Sequence, residues 1–224
     1  PLAGAARGRS PAPRAAPGPG RPSVDSAMTA PPLPARRDGI AGIAFLPLLL
    51  LWPALRHVIE SRMLLHMLVE FPALLAAGWG ARRMCPGSGP MRALSLACRH
   101  LDWRGWTGAT LLSAVTAVWM IPTLLDLALL TPAVAAAKYC AWWLAGWTIA
   151  DGWGRLDPEL RLWVLGNLAW MTGTAGLLYL DAPQRLCVNY LQDDQRHTGI
   201  ALIALAALLG ALGLREAMRP PPSP

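Results

Sequence analysis

Between Glu60 and Glu70 the chain holds an imidazole, two thioethers and two carboxylates at helical spacing. At about 100° per residue, Glu60, Met63, His66, Met67 and Glu70 share a sector of about 120°. Thioether and neutral imidazole are ligands for a soft monovalent ion such as Cu(I), whereas hard divalent ions prefer oxygen. Met120, from a later segment, adds one more soft donor, so Met63, His66, Met67 and Met120 are the candidate Cu(I) ligands. The competing reading is packing, because methionines at helical spacing are common core residues.

A second group is electrostatic. Glu70, Asp126 and Lys138 lie inside apolar runs, where an ionisable side chain is costly unless paired or solvated. Asp126 precedes, and Lys138 follows, the Thr131–Pro132 turn by similar lengths, so an antiparallel hairpin would place them at similar depth. A buried Asp126–Lys138 ion pair is the expectation, with a proton or ion path as the alternative. Cys85, Cys98 and His100 fit no compact zinc spacing and read as free groups. Cys140 and Cys187 have no evident partner. The chain carries no nucleophile elbow, phosphate loop, HExxH or dinucleotide fingerprint, so catalysis has no support and the protein reads as a non-enzyme.

The elements that must position these residues are apolar. Of 224 residues, 54% are hydrophobic and 15% are charged, against about 25% charged in soluble domains. A soluble enzyme is thereby disfavoured. With four cysteines, so is a disulfide-dense secreted module. The net charge of +7 reads as topology-setting arginine between apolar runs rather than a nucleic-acid surface. Six apolar runs follow one another: Ile40–Leu55, Met63–Trp79, Thr107–Leu130, Ala133–Ile149, Leu160–Leu180 and Thr198–Leu214. In lipid each must be a helix, because no water is there to satisfy the backbone. The fold class expected is therefore an all-α integral membrane protein, a six-transmembrane-helix bundle.

The chain divides into a Pro/Arg-rich tail over 1–38, expected to be disordered, a six-helix transmembrane domain over 39–218 and a Pro-rich C-terminal tail over 219–224. Met28 is a candidate native start, with 1–27 as an upstream extension; an ordinary tail fits equally well. Tight outer turns are expected at His57–Arg62 and Thr131–Pro132, with a longer outer loop over Asp181–His197. Trp79, Trp103, Trp106, Trp147, Trp153 and Trp163 fall near the proposed helix ends as an interfacial belt. With the N-terminus inside, the inner segments carry Arg36, Arg37, Arg82, Arg83, Arg92, Arg99, Arg104, Arg155, Arg161, Arg215 and Arg219. The outer ones carry only Arg56, Arg62, Arg185 and Arg196. The positive-inside rule then puts both termini in the cytoplasm.

Several stretches, in order along the chain, resemble the CtaG family of cytochrome c oxidase assembly factors. They are Met63–Met67 followed by Pro72, Leu74 and Leu75; Ala117–Asp126; Lys138–Gly146; and Asp194 and Gln195 leading into Thr198 and Gly199. The chain departs from the family where helix three has Met120 in place of a histidine, and where helix four has Lys138 near the family's histidines. The resemblance implies a multi-pass protein of the bacterial plasma (inner) membrane that helps copper reach the oxidase on the outer face. Its partners would be membrane lipid, oxidase subunits or a copper chaperone, with no nucleic acid, and its cofactor would be Cu(I). Two other classes remain open: a scaffold of the same fold that binds no metal, and a small solute or ion transporter using Glu70, Asp126 and Lys138.

Overall fold

The structure, a computed structural model, describes residues 49–50, 52–84, 93, 96–97 and 100–218. The N-terminal and C-terminal tails, most of the first apolar run, Cys85 and Cys98 lie outside the described residues. Among the described residues there are helices and no strand, as the all-α expectation requires. The helices are α1 (Pro53–Glu60), α2 (Met63–Met84), α3 (Trp106–Trp119), α4 (Pro122–Leu130), α5 (Pro132–Gly152), α6 (Pro158–Asp181) and α7 (Gln192–Ala217). A short 3₁₀ turn, Trp153–Arg155, follows α5.

Proline starts four of these helices. Pro53, Pro122, Pro132 and Pro158 each stand in the first turn. Their missing N–H is no loss at a position that has no intrahelical acceptor, and their fixed φ suits the helix. The same chemistry divides the run Thr107–Leu130, which was expected to be one helix. Ile121 is extended, α4 begins at Pro122, and α3 and α4 meet at a bend of 80°.

The six-span expectation is corrected. Only α2 and α7 are long and apolar enough to cross a membrane among the described residues, or three spans if the bent α3–α4 pair counts as one. The helix α5 has the length but carries Lys138, Asp151 and three tryptophans over its 21 residues. The outer turn expected at His57–Arg62 is also shorter: α1 continues through Glu60, leaving Ser61 and Arg62 as the turn. The loop between α6 and α7 is 182–191, and His197 lies inside α7.

Glycines set two helix crossings. A Cβ on Gly78 would overlap the Trp143 carbonyl oxygen, and one on Gly146 would overlap that of Leu75. Helices α2 and α5 therefore approach backbone to backbone, as small residues allow. They run parallel: Glu70 faces Lys138 near their starts, and Arg82 faces Asp151 near their ends. Helices α6 and α7 cross antiparallel at Gly176 and Gly199, where a Cβ on either would lie 2.8 Å from the other's carbonyl oxygen. Between α2 and α5, Phe71 stacks on Trp142 with ring centroids 4.8 Å apart.

Of the expected tryptophan belt, Trp103, Trp106 and Trp163 are exposed. Trp147 is not: it is fully buried, stacked with Trp143 and faced by the Arg82 guanidinium at 5.8 Å. At that end of the bundle Arg82 and Arg155 both reach Asp151, and Arg155 also pairs with Asp102.

Candidate functional site: a buried Glu–His–Glu–Lys cluster

The site grows out of a distortion in α2. Over His66–Glu70 the helix widens to a π turn. Pro72 lies just beyond. It cannot donate to the carbonyl four residues back, and its ring crowds that carbonyl. A wider i→i+5 turn relieves the crowding, and π turns of this kind recur at functional sites. Residues four apart in such a turn lie almost in line, so His66 Nε2 and Glu70 Oε2 come within 3.7 Å.

Lys138 enters from α5 and completes the cluster. Its Nζ lies 2.8 Å from Glu60 Oε1, 2.8 Å from His66 Nε2 and 2.7 Å from Glu70 Oε1. All four side chains are buried: Lys138 and His66 are 0% exposed, Glu70 1% and Glu60 8%. Glu70 pairs with the same ammonium, which is the donor its buried carboxylate has among the described residues. Glu60 is well supplied. Its Oε1 also accepts from the Tyr139 hydroxyl at 3.1 Å, and its Oε2 accepts from Arg56 Nε at 2.7 Å. Arg56 donates onward to the Ala128 carbonyl at 3.0 Å. Burial opposes its charge, yet the hydrogen bond and charge of Glu60 hold its guanidinium above the ordinary arginine value.

An ammonium can only donate, so His66 Nε2 accepts and the ring proton sits on Nδ1. From there it donates to Tyr190 Oη at 2.6 Å. Tyr190 comes from the 182–191 loop and is itself buried. Burial first, and then the negative charge of Glu60, push its hydroxyl above the usual tyrosine range, so it stays protonated. The loop is fixed from both sides. Gln195 accepts from the Leu186 amide at 2.9 Å and donates to the Tyr179 carbonyl at 3.1 Å. Asp194, its neighbour, accepts from the Met63 amide and so caps the start of α2.

No protein-family model matches this chain, and no curated protein or solved structure does either. The resemblance to oxidase assembly factors rests on the ordered sequence pieces alone.

Three of the proposed copper ligands, Met63, Met67 and Met120, belong to or pack against the hydrophobic core. His66 is at the centre of the cluster, but both ring nitrogens are engaged. Met63 and Met67 are buried in the hydrophobic core. Met120 is half-buried at the α3–α4 break and packs against that core. The expected Asp126–Lys138 pair is also corrected. Asp126 Oδ2 accepts from the Val188 amide at 2.9 Å, and Oδ1 from Asn189 Nδ2 at 3.0 Å. The 80° bend at Pro122 turns α4 out of the hairpin geometry that pairing assumed. Lys138 instead takes Glu60 and Glu70.

Among the described residues, Glu60, His66 and Glu70 are the group of acids and imidazoles close enough for one metal ion, with ligand atoms within 4.8 Å of one another. Arg56, Tyr139 and Tyr190 were not legible as site residues. None belongs to the Glu60–Glu70 stripe, and Tyr190 lies in a loop without periodicity. A cavity of about 600 Å³, lined by Pro53, Arg56, His57, Glu60, Leu130 and Asn189 among others, reaches the cluster at Glu60.

Proposed function

We propose that this chain is a multi-pass membrane protein that acts as an assembly scaffold for a respiratory oxidase, and that its buried cluster holds no copper. The oxidase assignment comes from the resemblance of the ordered sequence pieces. The metal-free assignment is carried by one observation: the Lys138 ammonium lies 2.7–2.8 Å from each of Glu60, His66 and Glu70. A Cu(I) ion and an ammonium cannot share that space, since like charges a few ångströms apart in a low-dielectric interior repel strongly. The cluster then serves to tie α1, α2, α5 and the 182–191 loop into one frame at the end of the bundle near Glu60, against which a partner subunit could be built. The membrane is the bacterial inner membrane if the oxidase reading holds.

Metal analysis of the purified full-length protein tests this reading. Wild type and His66→Ala should both lack stoichiometric copper. Copper at about one per chain, lost on His66→Ala, would favour copper delivery instead. Removing the gene should lower the amount of assembled oxidase; unchanged oxidase would sink the assembly role.

The cavity beside Glu60 favours a second reading, passage of a small cation. Uptake by protein-loaded vesicles that is abolished by Glu60→Gln would support it over the scaffold.

A further inference from the structure

Three side chains converge on one point at nearly equal distance, and a cation already sits there. Two carboxylates and one imidazole are the ligand set of an open zinc site, with a fourth position left for water. The ligand atoms lie within 4.8 Å of one another, so the set closes on an ion by contracting. A tetrahedral ion with bonds of about 2.0–2.2 Å needs ligand atoms about 3.4 Å apart. His66 Nε2 and Glu70 Oε2 lie at 3.7 Å. The three contacts to Lys138 Nζ, at 2.7–2.8 Å, would each shorten by about 0.5–0.8 Å for a metal at the same point.

Two independent features prepare the site for a metal. The first is Glu70, buried and aimed into the cluster, with the Lys138 ammonium against Oε1 and no neutral donor on either oxygen among the described residues. A buried carboxylate normally takes neutral donors as well, so this one is balanced by a cation. The second is Tyr190, which accepts the Nδ1 proton of His66 and leaves Nε2 directed inward. A hydrogen-bonded second nitrogen is the usual support of a metal-ligating histidine. The oxygen-rich set favours a borderline divalent ion over Cu(I). The cavity at Arg56, His57 and Glu60 supplies the way in from outside.

We infer that Glu60, His66 and Glu70 form a three-ligand site for a borderline divalent cation such as Zn²⁺, which the Lys138 side chain plugs in the native chain. The inference rests on the reading of Lys138 as the native occupant. Removing the lysine withdraws a positive charge from between two buried carboxylates, and a divalent ion restores it.

The test uses the full chain in detergent, purified with and without added zinc sulfate, desalted and counted for metal. Lys138→Met should retain about one zinc per chain, and wild type almost none. Adding His66→Ala or Glu70→Gln to Lys138→Met should weaken zinc binding at least about tenfold, and Tyr190→Phe should weaken it by a smaller factor. Zinc should also raise the thermal midpoint of Lys138→Met and leave that of wild type unchanged. The inference is overturned if folded Lys138→Met takes up no zinc. It is overturned equally if the bound zinc ignores His66→Ala and Glu70→Gln, if wild type binds as tightly, or if Lys138→Met fails to fold with zinc present. The copper content of wild type, which bears on the assembly reading, plays no part in these outcomes, so the two can fail separately.

Discussion

Lys138 Nζ donates to His66 Nε2 at 2.8 Å, and that single contact fixes the histidine tautomer and turns its Nδ1 proton toward Tyr190. It also joins two helices that are not consecutive in the chain. Between Glu60 and Glu70 the lysine is a counter-ion.

The first prediction follows from that charge balance. In metal-free buffer, Lys138→Met should cost roughly 3–5 kcal/mol, because it leaves buried carboxylates without their cation. Lys138→Met combined with Glu70→Gln should be milder than the single change. Double-mutant cycles on denaturant unfolding should give a coupling of roughly 0.5–3 kcal/mol between 138 and 70 and almost none between 138 and 126. Strong coupling to Asp126 would contradict the observed partners.

Asp126 should act on the loop instead. Asp126→Ala removes the acceptor of the Val188 amide and of the Asn189 side chain. Hydrogen exchange at Val188 should then accelerate, with stability falling by about 1–3 kcal/mol. Unchanged protection across 182–191 would show that Asp126 does not hold the loop.

Gly78 and Gly146 leave no room for a side chain at the α2–α5 crossing. Gly78→Val or Gly146→Val should separate the two helices and pull Lys138 away from Glu70. Folded yield and thermal midpoint should both drop. A variant that folds with an unaltered midpoint would show that the crossing adapts.

Cys187 is buried, and burial pushes its thiol from 9.0 up to about 12, with the charge of Asp126 adding to the effect. At pH 8 its peptide should resist alkylation until the protein is unfolded. The sign for stability follows. Between pH 9.0 and about 12 the unfolded thiol ionises while the native one stays protonated, so this group's contribution is present below pH 9.0 and is lost as pH rises. Wild type should therefore lose more stability across that window than Cys187→Ala; equal losses would refute the assignment.

Helix α7 is long and apolar enough to cross a membrane, with the 182–191 loop at one end and Met218 at the other. Reporter fusions at these two places should fall on opposite sides of the membrane. If the arginine bias sets the topology, the C-terminal fusion is the cytoplasmic one. The same side for both would remove α7 as a span.

Much of the frame was legible in the sequence. Apolar runs gave α2, α5, α6 and α7 to within a few residues, because helix formation in an apolar segment is a local matter. Proline marked four helix starts for the same local reason, although its effect at Pro122, a break of 80°, was not read. The stripe put His66 and Glu70 on one side of α2, whereas Glu60 ends α1 and meets them only across the turn at Ser61 and Arg62. What the sequence could not reveal was the partner of Lys138. The hairpin argument assumes that neighbouring helices in sequence pair most closely, and it chose Asp126. The actual neighbour of α5 is α2, brought to backbone contact by Gly78 and Gly146. Which side chains then meet depends on the crossing point and on each helix's rotation about its axis. Both come from packing across the whole bundle, so the meeting of Lys138 with Glu60, His66 and Glu70 was decided only in the tertiary structure.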